Sequence, residues 1–213
     1  MLWSLNFSTS AIADQEYSLN SDEGSPVDNF RIPVELDPAQ LPGIVWKGEK
    51  TADILLYEFF DYNCGYCRRA ALALDRLLVQ DPGVRLGLVN NPILSVGSVQ
   101  VAKIQQAILR LNGPDLAYKF HLKMFDRHGP ATGPGALDVV RSMGLNTSKI
   151  EEAADGSIVA DVLSRQGRLA AATGMAMTPS FVIAGTGVLG WPGEGSLREM
   201  IAAARKCDHP SCR

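Results

Sequence analysis

Apolar residues fill nearly every position of Asp53-Ile54-Leu55-Leu56-Tyr57-Glu58-Phe59-Phe60, which predicts a strand covered on both faces, with Ile44-Val45-Trp46 as a shorter strand before it. Glu58 is the charged exception inside that run. From Cys67 the period changes. Cys67, Ala70, Ala71, Leu74, Leu77 and Leu78 recur at the i, i+3, i+4, i+7 spacing of one helix face, and Asp81-Pro82-Gly83 ends the helix. Val84 to Val89 is a second core strand, completing a strand-helix-strand unit whose crossover favours parallel pairing.

Between Ser95 and Gly174 the pattern is helical throughout. Val101, Ile104, Ile108 and Leu111 mark one helix, Leu116, Phe120 and Met124 a second, and Leu137, Val140 and Met143 a third. Ser148 with Glu151 offers a capping box for a short fourth, and Ile158, Val162, Leu169 and Ala172 line a fifth. The apolar pattern therefore predicts a helical insertion over residues 95–174. After it, Thr178-Pro179-Ser180-Phe181-Val182-Ile183, a turn at Gly185-Thr186-Gly187, and Val188-Leu189 predict a hairpin with a proline at its mouth. A final amphipathic helix is expected from about Gly195 to Arg205. The stretch 14–42 is polar and punctuated by Pro26, Pro33, Pro38 and Pro42, so it reads as an extended arm that lies along the domain or dangles.

Length and composition narrow the class. The 213 residues, 46% hydrophobic and 20% charged, suit one globular domain with a sizeable insertion. Twenty Lys and Arg stand against 23 Asp and Glu, with no basic block to track phosphates, so nucleic acid is not expected as a partner. No apolar run reaches the roughly 18 residues a spanning helix needs. Met1 to Ala13 carries no charge and ends in Ala11-Ile12-Ala13, the small-x-small pattern of a secretory cleavage site, although it lacks a basic start and several polar residues dilute its apolar stretch. It reads as a signal-peptide remnant; a disordered terminus is the alternative.

The four cysteines form two close pairs, Cys64/Cys67 and Cys207/Cys212, and paired cysteines suit an oxidising compartment. Cys64 and Cys67 sit where a strand gives way to a helix. The unsatisfied N–H groups and dipole of a helix start stabilise a thiolate on the outer cysteine, which makes Cys64 the candidate nucleophile. Cys67 belongs to the buried face, where it is placed to resolve a mixed disulfide on Cys64. A structural disulfide, or half of a four-cysteine zinc site completed by Cys207 and Cys212, is the competing reading. Cys207 and Cys212, five positions apart in a seven-residue tail over 207–213, are expected to form a local disulfide; free thiols or a second redox relay are the alternatives.

At these residues a likeness emerges. Phe59-Phe60-Asp61-Tyr62-Asn63-Cys64-Gly65-Tyr66-Cys67 resembles the active site of the DsbA superfamily of bacterial thiol-disulfide oxidoreductases. Asn91-Pro92-Ile93-Leu94 resembles the way into that family's helical domain, and Thr178-Pro179-Ser180-Phe181-Val182-Ile183 its cis-proline strand. The likeness spans about residues 41–206 and is strongest to the ScsC-like exported branch. It implies an α/β thioredoxin-like fold with an inserted helical domain over a main domain at 43–206. It also implies a cis Pro179 facing the cysteines, Thr178 adjoining Cys64, and a strand-like docking of substrate polypeptide at Thr178, Pro179 and Tyr66.

Glu58 lies six residues before Cys64, matches a buried acid of that family, and as a desolvated carboxyl is the candidate for proton exchange with Cys67; a strand-end residue reaching water is the alternative. Arg85 on the next strand is its candidate partner. His121, His128 and His209 have no metal-ligand spacing and read as surface or helix-end residues with no assigned role. No metal and no organic cofactor is expected. The expected partners are cysteine-containing exported polypeptides and a membrane redox protein that resets the pair, with the chain periplasmic. The arm lacks the heptads of a helical oligomerisation segment, so a monomer is expected. The intervening dipeptide Gly65-Tyr66, of the isomerase DsbC type, carries no cation where DsbA has Pro-His, which predicts isomerase or reductase behaviour; a DsbA-type dithiol oxidase is the alternative, and a thiolate metal-binding module is the rival from another class.

Overall fold

The computed structural model describes residues 16–212, so the candidate secretory segment at Met1 to Ala13 lies outside them. The central strand is β3 (Ile54–Phe60). On one side it pairs in parallel with β4 (Val84–Asn90), and on the other antiparallel with β5 (Ser180–Ile183). The short β2 (Val45–Lys47) closes the sheet beside β4, while β6 (Thr186–Leu189) and β1 (Asn29–Arg31) extend it beyond β5, giving the order β1-β6-β5-β3-β4-β2. Strand β3 is apolar on both sides because both faces are covered. Leu56, Phe60, Leu88 and Phe181 join the core shared with the long helix α1 (Gly65–Gln80) and the last helix α7 (Glu194–Cys207). Tyr57, Phe59, Val89 and Val182 face the opposite core with Ile32, Ile44 and Met175. Gly87 in β4 is needed there: a Cβ on it would come within 2.9 Å of the Tyr57 ring and 3.0 Å of Trp46.

Five helices separate β4 from β5: α2 (Val96–Asn112), α3 (Pro114–Asp126), α4 (Gly133–Ser142), α5 (Thr147–Ala154) and α6 (Ser157–Ala172). This α/β sheet carrying a helical insertion is the thioredoxin-like arrangement that the family resemblance implies. Local chemistry sets the helix ends. Ser95 and Thr132 cap α2 and α4 by accepting the Ser98 and Gly135 N–H groups, and Pro114 occupies the first position of α3, where its missing N–H costs nothing.

Several local expectations are corrected. The cap of α5 is Asn146, whose side chain accepts the Lys149 N–H at 3.0 Å, so Ser148 lies inside the helix rather than before it. The buried stripe of α6 is Val159, Gln166 and Ala170, while Ile158 and Ala172 are exposed, because the polar Gln166 is recruited inward. Gln166 accepts the Asn90 N–H and donates to the Pro42 carbonyl, which fastens α6 to the sheet. The hairpin turns at Ala184-Gly185, both at positive φ, and Thr186 and Gly187 are already in β6.

The arm before residue 42 does not dangle. It contributes β1 to the sheet edge and buries Tyr17, Leu19, Val27 and Ile32. Asp22 caps α7, its Oδ1 accepting from the Ser196 N–H at 2.6 Å and its Oδ2 from the Gly195 N–H at 3.1 Å. The Tyr17 hydroxyl and His209 Nδ1 are hydrogen-bonded at 2.8 Å, joining the arm to the tail. Prolines hid this strand, since it is only three residues long and Phe30 is its single apolar side chain.

Candidate active site

The chain leaves β3 at Phe60 and turns once before α1, and that turn is built by Asp61. Its Oδ1 accepts the Asn63 N–H at 2.7 Å, an Asx turn, and its backbone carbonyl accepts the Cys64 N–H at 3.1 Å. Cys64 thereby becomes the N-cap residue of α1, in extended conformation, with its Sγ accepting the Cys67 N–H at 3.2 Å. A sulfur at this position collects the unsatisfied donors of the first helical turn. The Cys64 thiol is pulled down to about 6, first by the hydrogen bond from the Cys67 thiol and then by the Thr178 hydroxyl and the Cys67 and Tyr66 backbone N–H groups, against the opposing effect of burial. Cys67 is wholly buried, and burial together with its hydrogen bond to Cys64 pushes its thiol up. Both thiols are free.

The Thr178-Pro179 peptide bond is cis, and the Thr178 carbonyl lies 3.1 Å from Cys64 Sγ. Pro179 is buried at the mouth of β5, and Thr178 is half-buried beside the thiol. Tyr66, between the cysteines, is 58% exposed, with the Arg69 guanidinium 5.2 Å from its ring centre. It turns toward solvent, leaving the Cys64 sulfur to the Cys67 thiol, Thr178 and the backbone donors.

Glu58 has no exposed surface, and neither carboxyl oxygen has a hydrogen-bond partner. Leu88 and Phe181 flank it on the neighbouring strands. Burial holds its carboxyl well above the usual carboxylate range, with the nearby Cys64 charge adding to the effect. Arg85 is not its partner: it pairs in register with Leu55, on the other face of the sheet, and stacks 4.3 Å from the Trp46 ring centre.

Three further groups at the site carry weaker sequence signals. Tyr62 and His121 are buried with Phe60, Phe120 and Phe125 in one aromatic cluster, and neither Tyr62 Oη nor His121 Nδ1 has a partner. His121 is thus an interior residue of α3 rather than a surface histidine, and burial pulls its imidazole down to about 3. Its place on the buried stripe, one residue after Phe120, was the available signal. Asn63 is the third. Its side chain accepts the Ala131 N–H at 2.8 Å and donates to the Ala131 carbonyl at 3.0 Å, binding the active-site turn to the α3-α4 loop.

Cys207 and Cys212 are disulfide-bonded to each other. They lie at the far end of the sheet: Arg205, just before them, pairs with Asp53 at the start of β3, whereas Cys64 follows the end of that seven-residue strand, about 20 Å away at 3.3 Å per residue. The two cysteine pairs therefore do not build one zinc site. Among the described residues, no group of three or more His, Cys, Asp or Glu side chains is arranged to hold a metal ion.

Residues 56–202 match the profile of the DSBA-like thioredoxin domain. Among solved structures, a thioredoxin-like oxidoreductase from Silicibacter pomeroyi is 32% identical, with 78% of this chain and 94% of that one covered and a TM-score of 0.72. A periplasmic thioredoxin-like protein from Salmonella enterica serovar Typhimurium is 19% identical, covering 83% and 99% at a TM-score of 0.72. The catalytic domain of Proteus mirabilis ScsC is 21% identical, covering 78% and 91% at 0.69. At those lower identities the likeness speaks for the fold. Comparison with curated proteins returns no match.

Proposed function

The chain belongs to the DSBA-like thioredoxin domain family and is a thiol-disulfide oxidoreductase; from that premise we propose that it exchanges disulfides with exported polypeptides as an isomerase or reductase, through Cys64 as nucleophile and Cys67 as resolver. In the reducing direction the Cys64 thiolate attacks one sulfur of a substrate disulfide and expels the other as a thiolate. Cys67, having given up its proton, attacks Cys64 Sγ and releases the second substrate sulfur. The substrate gains two electrons and the enzyme is left with a Cys64–Cys67 disulfide. The reverse sequence oxidises a dithiol.

Substrate polypeptide docks in strand fashion at the Thr178-Pro179 segment, which stands against Cys64, with Tyr66 bordering that position. Glu58 is the group assigned to exchange a proton with Cys67. It lies on the cysteine side of the sheet, and its raised affinity for a proton brings it nearer to that of the buried thiol, as efficient transfer requires. The chain works as a periplasmic monomer, and a separate membrane redox protein resets the pair. A periplasmic relative of the same fold supports that location.

The observation that carries the direction is the Cys64 thiol at about 6, held first by the Cys67 thiol and then by hydroxyl and backbone donors rather than by a cation. That lies between a free thiol near 8.5 and the roughly 3.5 of DsbA, so the reduced form is stabilised less than in DsbA and the disulfide is the weaker oxidant. The test is the redox equilibrium of Cys64/Cys67 against glutathione, combined with refolding of a scrambled protein. The expected potential lies below roughly −120 mV and nearer roughly −180 mV. A potential at or above that upper figure, with rapid oxidation of reduced peptides and no rescue of the scrambled protein, contradicts the reading.

A further inference from the structure

Asp61 and Asn63 do more than shape the turn before Cys64. The Asp61 carboxylate is buried and saturated with donors from two parts of the chain. Oδ1 accepts from the Asn63 N–H and, at 2.6 Å, from the Ser98 hydroxyl; Oδ2 accepts the Leu94 N–H at 2.9 Å. Asn63 Nδ2 reaches Ser95 Oγ at 2.9 Å and Ser98 Oγ at 3.0 Å in addition to the Ala131 carbonyl. Two residues of the active-site turn thus hold the helical insertion at two separated places, the start of α2 and the α3-α4 loop. Asn63 is bound to Ala131 both as acceptor and as donor, which fixes orientation as well as distance.

The segment held by the first anchor presents apolar side chains to water. Ile93, Leu94 and Val96 are all exposed, and Leu94 carries the N–H that Asp61 accepts, so they stand directly beside the turn that ends in Cys64. We infer that Asp61 and Asn63 form a latch that fixes this apolar lip beside Cys64, making Asn63 a positioning residue for substrate segments with apolar side chains next to the reacting cysteine. The inference rests on the oxidoreductase reading above. It assigns substrate preference to a lip carried by the insertion and held from the catalytic turn, so that loosening the latch costs binding before it costs chemistry.

The test compares two cysteine-containing peptides, one with leucines and one with serines flanking the cysteine, on wild type and Asn63→Ala, alongside hydrogen exchange of the Ala131 amide. In the variant the Ala131 amide is expected to exchange faster. KM for the leucine peptide rises about tenfold, the loss expected when a leucine-sized apolar contact is no longer buried; kcat changes less than twofold, and the preference for leucine over serine flanks collapses. Ser98→Ala, which keeps the Asx turn and removes one donor to Asp61, is expected to change the same readouts in the same direction to a smaller extent, and serves if Asn63→Ala does not fold. Retained preference in both variants, or equal loss of kcat on both peptides with KM unmoved, overturns the latch. A wild type that exchanges with neither peptide contradicts the oxidoreductase reading, and the two failures are therefore distinct.

Discussion

The backbone N–H of Cys67 points at the sulfur of Cys64 across 3.2 Å, so the buried cysteine is itself one of the donors to the outer thiol. The arrangement follows from the N-cap position: α1 begins at Gly65, one residue past the outer thiol. The two cysteines titrate in opposite directions because one meets the donors of a helix start and the other the apolar core.

Titration of the reduced protein followed by thiolate absorbance is expected to show one transition near pH 6, belonging to Cys64, and none from Cys67 below pH 9. The same shift acts on stability. Folding lowers the Cys64 value below the unfolded one of about 8.5, so its contribution is fully present above that pH and is lost as the pH falls through about 6. The Tm of the reduced protein relative to the oxidised protein should therefore decline from pH 8.5 to 6. A flat difference contradicts the assignment.

Glu58→Leu separates stability from mechanism. A buried carboxyl with no partner costs roughly 1–3 kcal/mol, and leucine suits a site flanked by Leu88 and Phe181, so the variant is expected to be more stable. Folding raises the Glu58 value, which makes the native carboxyl least costly below about pH 4 and more costly as pH rises. The stability gain should widen with pH. Stopped-flow measurement of the second exchange step should show slower attack by Cys67; an unchanged rate removes Glu58 from proton transfer.

His121→Phe is expected to make the protein more resistant to acid. The imidazole takes a proton at about 6.5 when unfolded but only at about 3 in its aromatic cluster, so below pH 6.5 the unfolded state binds protons that the native state refuses. Phenylalanine abolishes that difference. The Tm gap between variant and wild type should open as pH falls from 6.5 toward 3, and a gap independent of pH contradicts a neutral buried His121.

Strong periodicity made the central architecture legible in the sequence. The run around Leu56 and the helix face from Cys67 to Leu77 each carry one unambiguous period, and together they place the cysteines at a strand-to-helix turn. The features without a periodic signal are carried by single polar residues. Gln166 sits inward because it pairs with the Asn90 N–H and the Pro42 carbonyl, and Asn146 rather than Ser148 caps α5; neither choice leaves a hydrophobic trace. The arm was obscured for a related reason. Three residues of β1 suffice when β6 supplies the partner, and prolines around them do not interrupt the ladder. Asp61 and Asn63 were visible as a motif, but their hold on Leu94, Ser98 and Ala131 depends on contacts across 33 to 68 positions that only the fold discloses.

The most direct test of the account is to trap its covalent intermediate. Cys67→Ser, incubated with a peptide disulfide and mapped by mass spectrometry without reduction, should accumulate a mixed disulfide on Cys64, with Cys207 still joined to Cys212. Cys64→Ser should form none. Absence of the adduct in Cys67→Ser, or its recovery on Cys207 or Cys212, contradicts the assignment of Cys64 as the attacking thiol.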